Sequence, residues 1–316
     1  MLQNLRVIDI GARYGLHPSL RPLLGRADID LFEPDPAEFN RLVEQYRHES
    51  RVVVHQNAIG RESSSRPFEL RQHRALSGFA ELATDRVRQN AERRGILGMA
   101  PERVIRVSVT PLRKVLNDKP TFIKVDAEGS ESEVLESAGK RQRCIVAMRV
   151  SSNYQPLWRG DTTFTGIGGH LQRCGFEFLR SESRWNDYEY GELALPTSTA
   201  KPVSGDGLWF RDPALRTSPE EHVATALFLY LHGAHGLALH ALMAGAELEC
   251  LRLEDAPWES ADGLLYAYLV QHLLIARTLP YRDDSRIDDC YERVCGAKFP
   301  DKQRAFEVLN AVGLIA

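Results

Sequence analysis

Several short apolar runs in this sequence end on an acid, a position from which a carboxylate can attract a cation or accept a proton. In VIDIGARYG, Val7 to Gly15, the run closes on Asp9, and two glycines then bracket a turn into the next segment. Glycine at a first strand-to-helix turn lets a ligand approach the backbone, which is the expected reason for Gly11 and Gly15. A dinucleotide fingerprint would read G-x-G-x-x-G and seat a pyrophosphate. Here the middle glycine is missing and Asp9 would repel phosphate, which disfavours a nicotinamide enzyme. The acid suits a cationic ligand, and S-adenosylmethionine carries both a sulfonium and an ammonium group. In LFEPDP, Leu31 to Pro36, Glu33 ends a second run, where a carboxylate accepts hydrogen bonds from ribose hydroxyls. Pro34 and Pro36 stop that strand and start a helix. In HQNAIG, His55 to Gly60, Asn57 either faces an adenine edge or caps its own turn.

A fourth run, in FIKVDAEGSESEVLESAG, Phe122 to Gly139, closes on Asp126. Methyl transfer needs chiefly alignment of nucleophile, methyl and sulfur, but a hydroxyl acceptor must also lose its proton. Asp126 is the first candidate for that base and Glu128 the second. Glu128 can also be read as a helix-start acid favoured by the dipole. If Asp126 only orients the cofactor, the base is absent or falls to His55, His73 or another histidine.

These residues need a scaffold that gathers strand ends. From Leu5 to about Arg211, Val- and Ile-rich runs alternate with helical segments, as in a parallel sheet covered on both faces. Strands are expected near Arg6 to Ile10, Ile29 to Phe32, Val52 to His55, Thr121 to Val125, Cys144 to Val150 and Gly205 to Arg211. Helices are expected around His17 to Leu24, Pro36 to Tyr46 and Ser130 to Ala138, with a further helix and strand within Gly166 to Leu179. Between Ile59 and Arg106 lies a long polar insertion with a helix expected over Phe79 to Arg94, and such excursions at a strand end often cover a ligand.

Beyond Asp212 the period is helical, with helices expected over Pro219 to Leu231, Gly236 to Glu247, Ser260 to Leu279, Ile287 to Val294 and Lys302 to Val312. The expected division is residues 1–212 for the α/β part and 213–316 for an all-α part. Val223 to Gly245 is apolar enough to consider as a membrane span. His232, His235 and His240 and the break at Gly233 and Gly236 favour two buried helices instead.

Over 316 residues the net charge is -3, so no overall field attracts nucleic acid. Arg86 to Arg94 is interrupted by Glu92 and reads as a solvated helix face. Five cysteines without C-x-x-C spacing give neither a disulfide framework nor a zinc site, and no other metal site is expected. With no signal-like N-terminus, the expected compartment is the cytoplasm.

Together, DIGARYG, FEPDP, NAIG and FIKVDAEGSESEVLESAG resemble, in order, the motifs of the FkbM family of S-adenosylmethionine-dependent methyltransferases. Asp126, Glu128, Gly129, Glu131 and Leu135 match its Asp-x-Glu-Gly turn and following helix. The resemblance covers roughly Leu5 to Leu179. It implies a class I methyltransferase fold, Rossmann-like and doubly wound on a mostly parallel seven-stranded sheet, here with a C-terminal all-α domain. It implies O-methyl transfer to a sugar or other small biosynthetic hydroxyl. The candidate cofactor-binding set is Asp9, Gly11, Ala12, Arg13, Gly15, Glu33, Pro34, Asn57, Ala58 and Asp126.

Three positions depart from the family pattern. Arg13 stands for the usual Asn, Arg113 for an Asp and Arg149 for a Glu. Arg113 and Arg149 are therefore candidate substrate-binding residues for an acidic acceptor, guanidinium forks being suited to carboxylates and phosphates. The bland reading pairs them with nearby acids. The same departures allow a protein that binds the cofactor without catalysis and uses its helical part as a scaffold. Expected partners are a small-molecule or glycan acceptor and, through the helical part, a second copy or a biosynthetic partner. Trp158, Trp185 and Trp209 are expected in packing rather than as a sugar platform.

Overall fold

Alternate residues of the central strands point to opposite faces, and both faces are buried. Val7, Ile29, Leu31, Phe122, Val146 and Leu208 lie on one face, and Ile8, Ile10, Ile123, Val125, Met148 and Val150 on the other. This is why the strands read as continuous apolar runs. The computed structural model describes residues 5–83, 100–187, 201–212, 215, 218–244, 257, 259–278 and 292.

The strands are β1 (Arg6–Ile10), β2 (Asp28–Phe32), β3 (Val52–His55), β4 (Ala58–Ile59), β5 (Ser64–Arg71), β6 (Pro101–Thr110), β7 (Thr121–Val125), β8 (Ile145–Asn153), β9 (Phe176–Asp187) and β10 (Lys201–Arg211). Seven of them form one sheet in the order β3-β2-β1-β7-β8-β10-β9. β1, β2, β3, β7 and β8 pair in parallel, and β10 runs antiparallel to β8 and β9. The chain builds outward from β1 to β3, then returns to β7 on the other side of β1. That reversal opens a crevice beyond the carboxyl ends of β1 and β7. This is the class I methyltransferase order expected from the resemblance.

Helices α1 (Pro36–Gln45), α2 (Leu112–Val115), α3 (Glu131–Glu136), α4 (Phe164–Arg173), α5 (Pro219–Leu231), α6 (His235–Ala244) and α7 (Ala261–Thr278) complete the described elements with short 3-10 turns. The segment after β1 is a 3-10 helix, Pro18–Leu23, rather than an α-helix, because Pro22 inside it removes a backbone donor. α2, α3 and α4 cover one sheet face through Leu112, Val134, Leu135, Ile167 and Leu171. On the other face, Leu20, Leu23 and Leu42 are joined by α5, whose Phe228 meets Phe122 edge-on at 5.4 Å.

Every residue of α5 from His222 to Tyr230 is buried. A helix enclosed all round has no amphipathic face to offer; it sits between the sheet and the helices that follow. Ser218 caps its N-terminus by accepting from the Glu221 N–H at 3.3 Å. Gly233, with φ +72°, ends the turn after it. The apolar stretch is thereby split into α5 and α6, and among the described residues no helix is long and apolar enough to cross a membrane.

The insertion after β3 differs from expectation. It folds a second sheet, β4-β6-β5, that buries Ala58, Phe68, Leu70, Val107 and Val109. β5 and β6 were hard to read because only alternate positions face a small core while the rest are polar and exposed. Of the helix expected over 79–94, residues 79–83 are not helical, and 84–94 lie outside the described residues. The helices expected over 287–294 and 302–312 also lie outside them, save residue 292.

Candidate active site

The crevice between β1 and β7 opens into a cavity of about 460 Å³. Its size falls in the range usual for small-ligand sites. Asp9, Gly11, Arg13 and Gly15 come to it from β1 and its turn, Glu33 and Pro34 from the end of β2, and Ala58 and Ile59 from β4. Asp126 and Glu128 enter from the end of β7. Ala12 is buried beside the turn and does not line the cavity.

Asp9 is fully shielded from solvent. One carboxylate oxygen accepts the His17 N–H at 3.1 Å, closing the turn, and the other lies 3.1 Å from Lys124 Nζ. Burial raises its pKa, and the Lys124 charge opposes that shift. Lys124 Nζ also donates to the Gly11 carbonyl at 2.8 Å and stands 3.7 Å from Asp126 Oδ2. One ammonium thus ties the two turns together and neutralises acids on both. The sequence reading missed Lys124. Its signal was a lone lysine in the apolar strand FIKV, a charge that burial on both faces tolerates only when paired.

Gly11 and Gly15 hold φ +75° and +84°, which other residues rarely adopt. A Cβ on Gly11 would lie 1.9 Å from the Asp126 carbonyl oxygen, and one on Gly15 2.6 Å from Tyr46 Oη. The close approach of neighbouring protein is thus enough to demand glycine at both positions, and both glycines also line the cavity.

Glu33 is buried and accepts the Asp35 N–H at 2.9 Å. Burial pushes its pKa up to about 7, against the Asp35 N–H and the Arg13 charge. Asp35 caps α1 through the Ala37 N–H at 3.1 Å and binds Arg13 Nη2 at 2.7 Å. Arg13 therefore braces the β1 turn against the start of α1.

Asn57 is not brought to the cavity. Its amide donates to Thr110 Oγ1 at 3.1 Å, tying the β3–β4 turn to β6. Neither substituted arginine lines the cavity either. Arg149 is buried between Asp206, at 2.7 Å, and Glu182, at 2.6 Å. Arg113 binds Glu62 at 2.5 Å and the Arg61 carbonyl on the surface. Charge reversal at these two positions is thus answered by acids from β9, β10 and the insertion. Of the alternative bases, His55 binds Asp30 at 2.7 Å and stacks on Phe32; neither it nor His73 lines the cavity.

Glu128 is the one non-glycine residue with positive φ among the described residues, at 47°. Such strain persists only where surroundings enforce it. Here Glu131 does so: its carboxylate accepts the N–H of Ala127 at 2.8 Å and of Gly129 at 3.0 Å, clamping the turn. Burial drives the Glu131 pKa to about 8. The insertion presses on the same turn, for a Cβ on Gly78 would meet Glu128 Cβ at 3.2 Å. It also adds Phe68, Arg74, Ser77 and Phe79 to the cavity wall, residues the sequence reading did not single out.

No curated protein matches the chain. Among solved structures it is similar to a methyltransferase FkbM from Methylobacillus flagellatus, at 17% identity and TM-score 0.40, covering 66% of this chain and 44% of that one. The chain thus spans less than half the length of that protein. It is also similar to an rRNA methylase from Streptococcus thermophilus, at 6% identity and TM-score 0.33, covering 66% and 87%. A precorrin-6y C5,15-methyltransferase from Geobacter metallireducens is similar at 11% identity and TM-score 0.32, covering 67% and 82%. The model of the methyltransferase FkbM domain matches residues 9–178, more than half of the sequence, and the chain belongs to the FkbM methyltransferase family.

Proposed function

We propose that the cavity holds S-adenosylmethionine and that the protein methylates a hydroxyl of a sugar or another small biosynthetic substrate. The observation that carries this reading is the placing of Glu33, Asp126 and Glu128 around one cavity at the switch point of the sheet. The residues fit the group: Glu33 stands where a carboxylate accepts from ribose hydroxyls, and the apolar walls at Ile10, Phe32 and Ile59 suit an adenine face. Arg21, an exposed cation at the rim, suits the carboxylate of the methionyl end.

When bound, the cofactor supplies a methyl whose bond to sulfur breaks as the bond to the acceptor oxygen forms, the electron pair leaving with sulfur. The chain's own residues do the rest. Asp126 takes the hydroxyl proton on its carboxylate, with Glu128 beside it as the second acceptor. Lys124 holds the β1 and β7 turns at a fixed separation, and this alignment supplies most of the rate. In this reading the helix α5 of the helical part covers one face of the sheet. Calorimetric titration with S-adenosylmethionine, followed by detection of S-adenosylhomocysteine in the presence of hydroxylated acceptors, tests the proposal. Absence of binding overturns it, and binding without product from any acceptor favours the non-catalytic reading.

A further inference from the structure

Part of the cavity wall comes from the insertion: Phe68 on β5, and Arg74, Ala75, Ser77 and Phe79 on the loop that follows. That loop makes one 3-10 turn, Arg74–Leu76, and then presses Gly78 against Glu128, so this wall adjoins the β7 turn that carries both candidate bases. The loop is fixed from within. Arg71, 1% exposed, donates to the carbonyls of Leu76 and Ala80 and pairs with Glu69 at 2.5 Å. Gly78 exchanges two backbone hydrogen bonds with Glu69, at 3.0 and 3.1 Å. A wall ordered before a ligand arrives leaves little ordering entropy to be lost on binding.

Arg74 brings a guanidinium to this wall, and Ala75 and Phe79 near it are half-buried and apolar. Phe79 stands edge-on to Phe68 at 5.1 Å. A cation beside an apolar surface matches a ligand built the same way, with an anionic group on an apolar ring. Arg74 has a protein partner in Glu102 at 2.9 Å, but the two side chains are 38% and 52% exposed. An ion pair so open to water contributes little, so a ligand anion displaces or shares it at small cost. The methyl donor carries a single carboxylate, and Arg21, in the segment after β1, is placed for that group. Arg74 is a second cation on a different element, which leaves it for a second anion. The acids nearby are offset on this side, since Glu69 and Glu128 both favour the charged form of the buried Arg71.

We propose that Arg74 determines specificity in an acceptor subsite on the insertion wall, and that the acceptor is a hydroxylated apolar ring bearing a carboxylate or phosphate. The inference rests on the methyl-transfer reading above and names its acceptor class. The guanidinium binds the anion, Ala75 and Phe79 take the ring, and the hydroxyl to be methylated faces Asp126. The sequence attached an acidic acceptor to Arg113 and Arg149, which do not line the cavity; Arg74 does.

The test uses the full chain loaded with S-adenosylhomocysteine, so that binding is read without turnover. Calorimetry compares hydroxybenzoates, hydroxycinnamates and hydroxyphenyl phosphate with their neutral counterparts, the two sets of amides and hydroquinone. Anionic members should bind about tenfold tighter than neutral ones, and added salt should narrow the gap. Arg74→Gln should abolish that preference by weakening anion binding about tenfold, with neutral members and S-adenosylhomocysteine unaffected. Glu102→Gln, which removes the competing acid, should keep or tighten anion binding, whereas a purely structural role for the pair would move both variants the same way. If Arg74→Gln does not fold, Arg74→Lys takes its place, with an intermediate preference expected because the charge stays and the fork is lost. Equal binding of neutral and anionic members, no binding by any anionic member, an unchanged preference in the folded Arg74 variant, or weakened anion binding in Glu102→Gln overturns the subsite. A loss of S-adenosylhomocysteine affinity confined to the Arg74 variant assigns this arginine to the cofactor and overturns it too. Failure of the parent chain to bind S-adenosylhomocysteine overturns the methyl-transfer reading instead.

Discussion

Lys124 on β7 and Asp9 on β1 are register partners across the parallel pair at the centre of the sheet, and their charged groups meet at 3.1 Å with both side chains buried. The pair lies under the turns that carry Gly11 and Asp126, so it joins the stability of the sheet to the geometry of the site.

Removing one partner leaves a buried charge uncompensated. Lys124→Met should destabilise the fold by about 3–5 kcal/mol, and the Asp9→Asn/Lys124→Met double variant should regain part of that loss. Urea denaturation of the four members of the cycle measures it; a double variant no better than the single one would mean the pair is not the dominant interaction.

Cofactor affinity should depend on pH through Glu33. Its pKa is raised to about 7, so the proton-accepting carboxylate is depleted below that pH. If only the ionised form binds ribose, the dissociation constant should rise about tenfold from pH 8 to pH 6. Glu33→Gln should bind weakly at every pH with little slope in calorimetric titration.

Arg149 is held by two carboxylates from β9 and β10. Arg149→Glu would place a third acid among them and should cost about 3–5 kcal/mol of stability. Arg149→Lys should keep much of the fold. Acceptor selectivity of the folded variant should match the parent in competition assays, because the side chain does not line the cavity.

His232 ends α5 with its ring buried, bonded to the Phe228 carbonyl at 2.8 Å and to Ser19 Oγ at 3.2 Å. Burial lowers its pKa to about 4 from the ordinary 6.5. The unfolded chain therefore binds the proton more readily between those values, and stability should fall as pH drops from 6.5 toward 4, by up to about 1.4 kcal/mol per unit. His232→Gln should flatten that slope in denaturation series at pH 7, 6 and 5.

The parallel strands of the main sheet were legible in local sequence, whereas β5 and β6 were not and β9 and β10 extend beyond the expected ranges. Apolar runs closing on Asp9, Glu33 and Asp126 are local patterns, legible because a strand buried on both faces admits a polar residue in its core only when that residue is paired, as Lys124 is with Asp9. Proline at 36 and 219 and the glycine at 233 marked helix limits for the same local reason. Which side chains share a cavity follows from the folding of distant segments together. Lys124 pairs with an acid 115 residues away, and Arg149 with acids on strands folded back later. Such contacts depend on distance in space, which the spacing of residues along a chain does not encode.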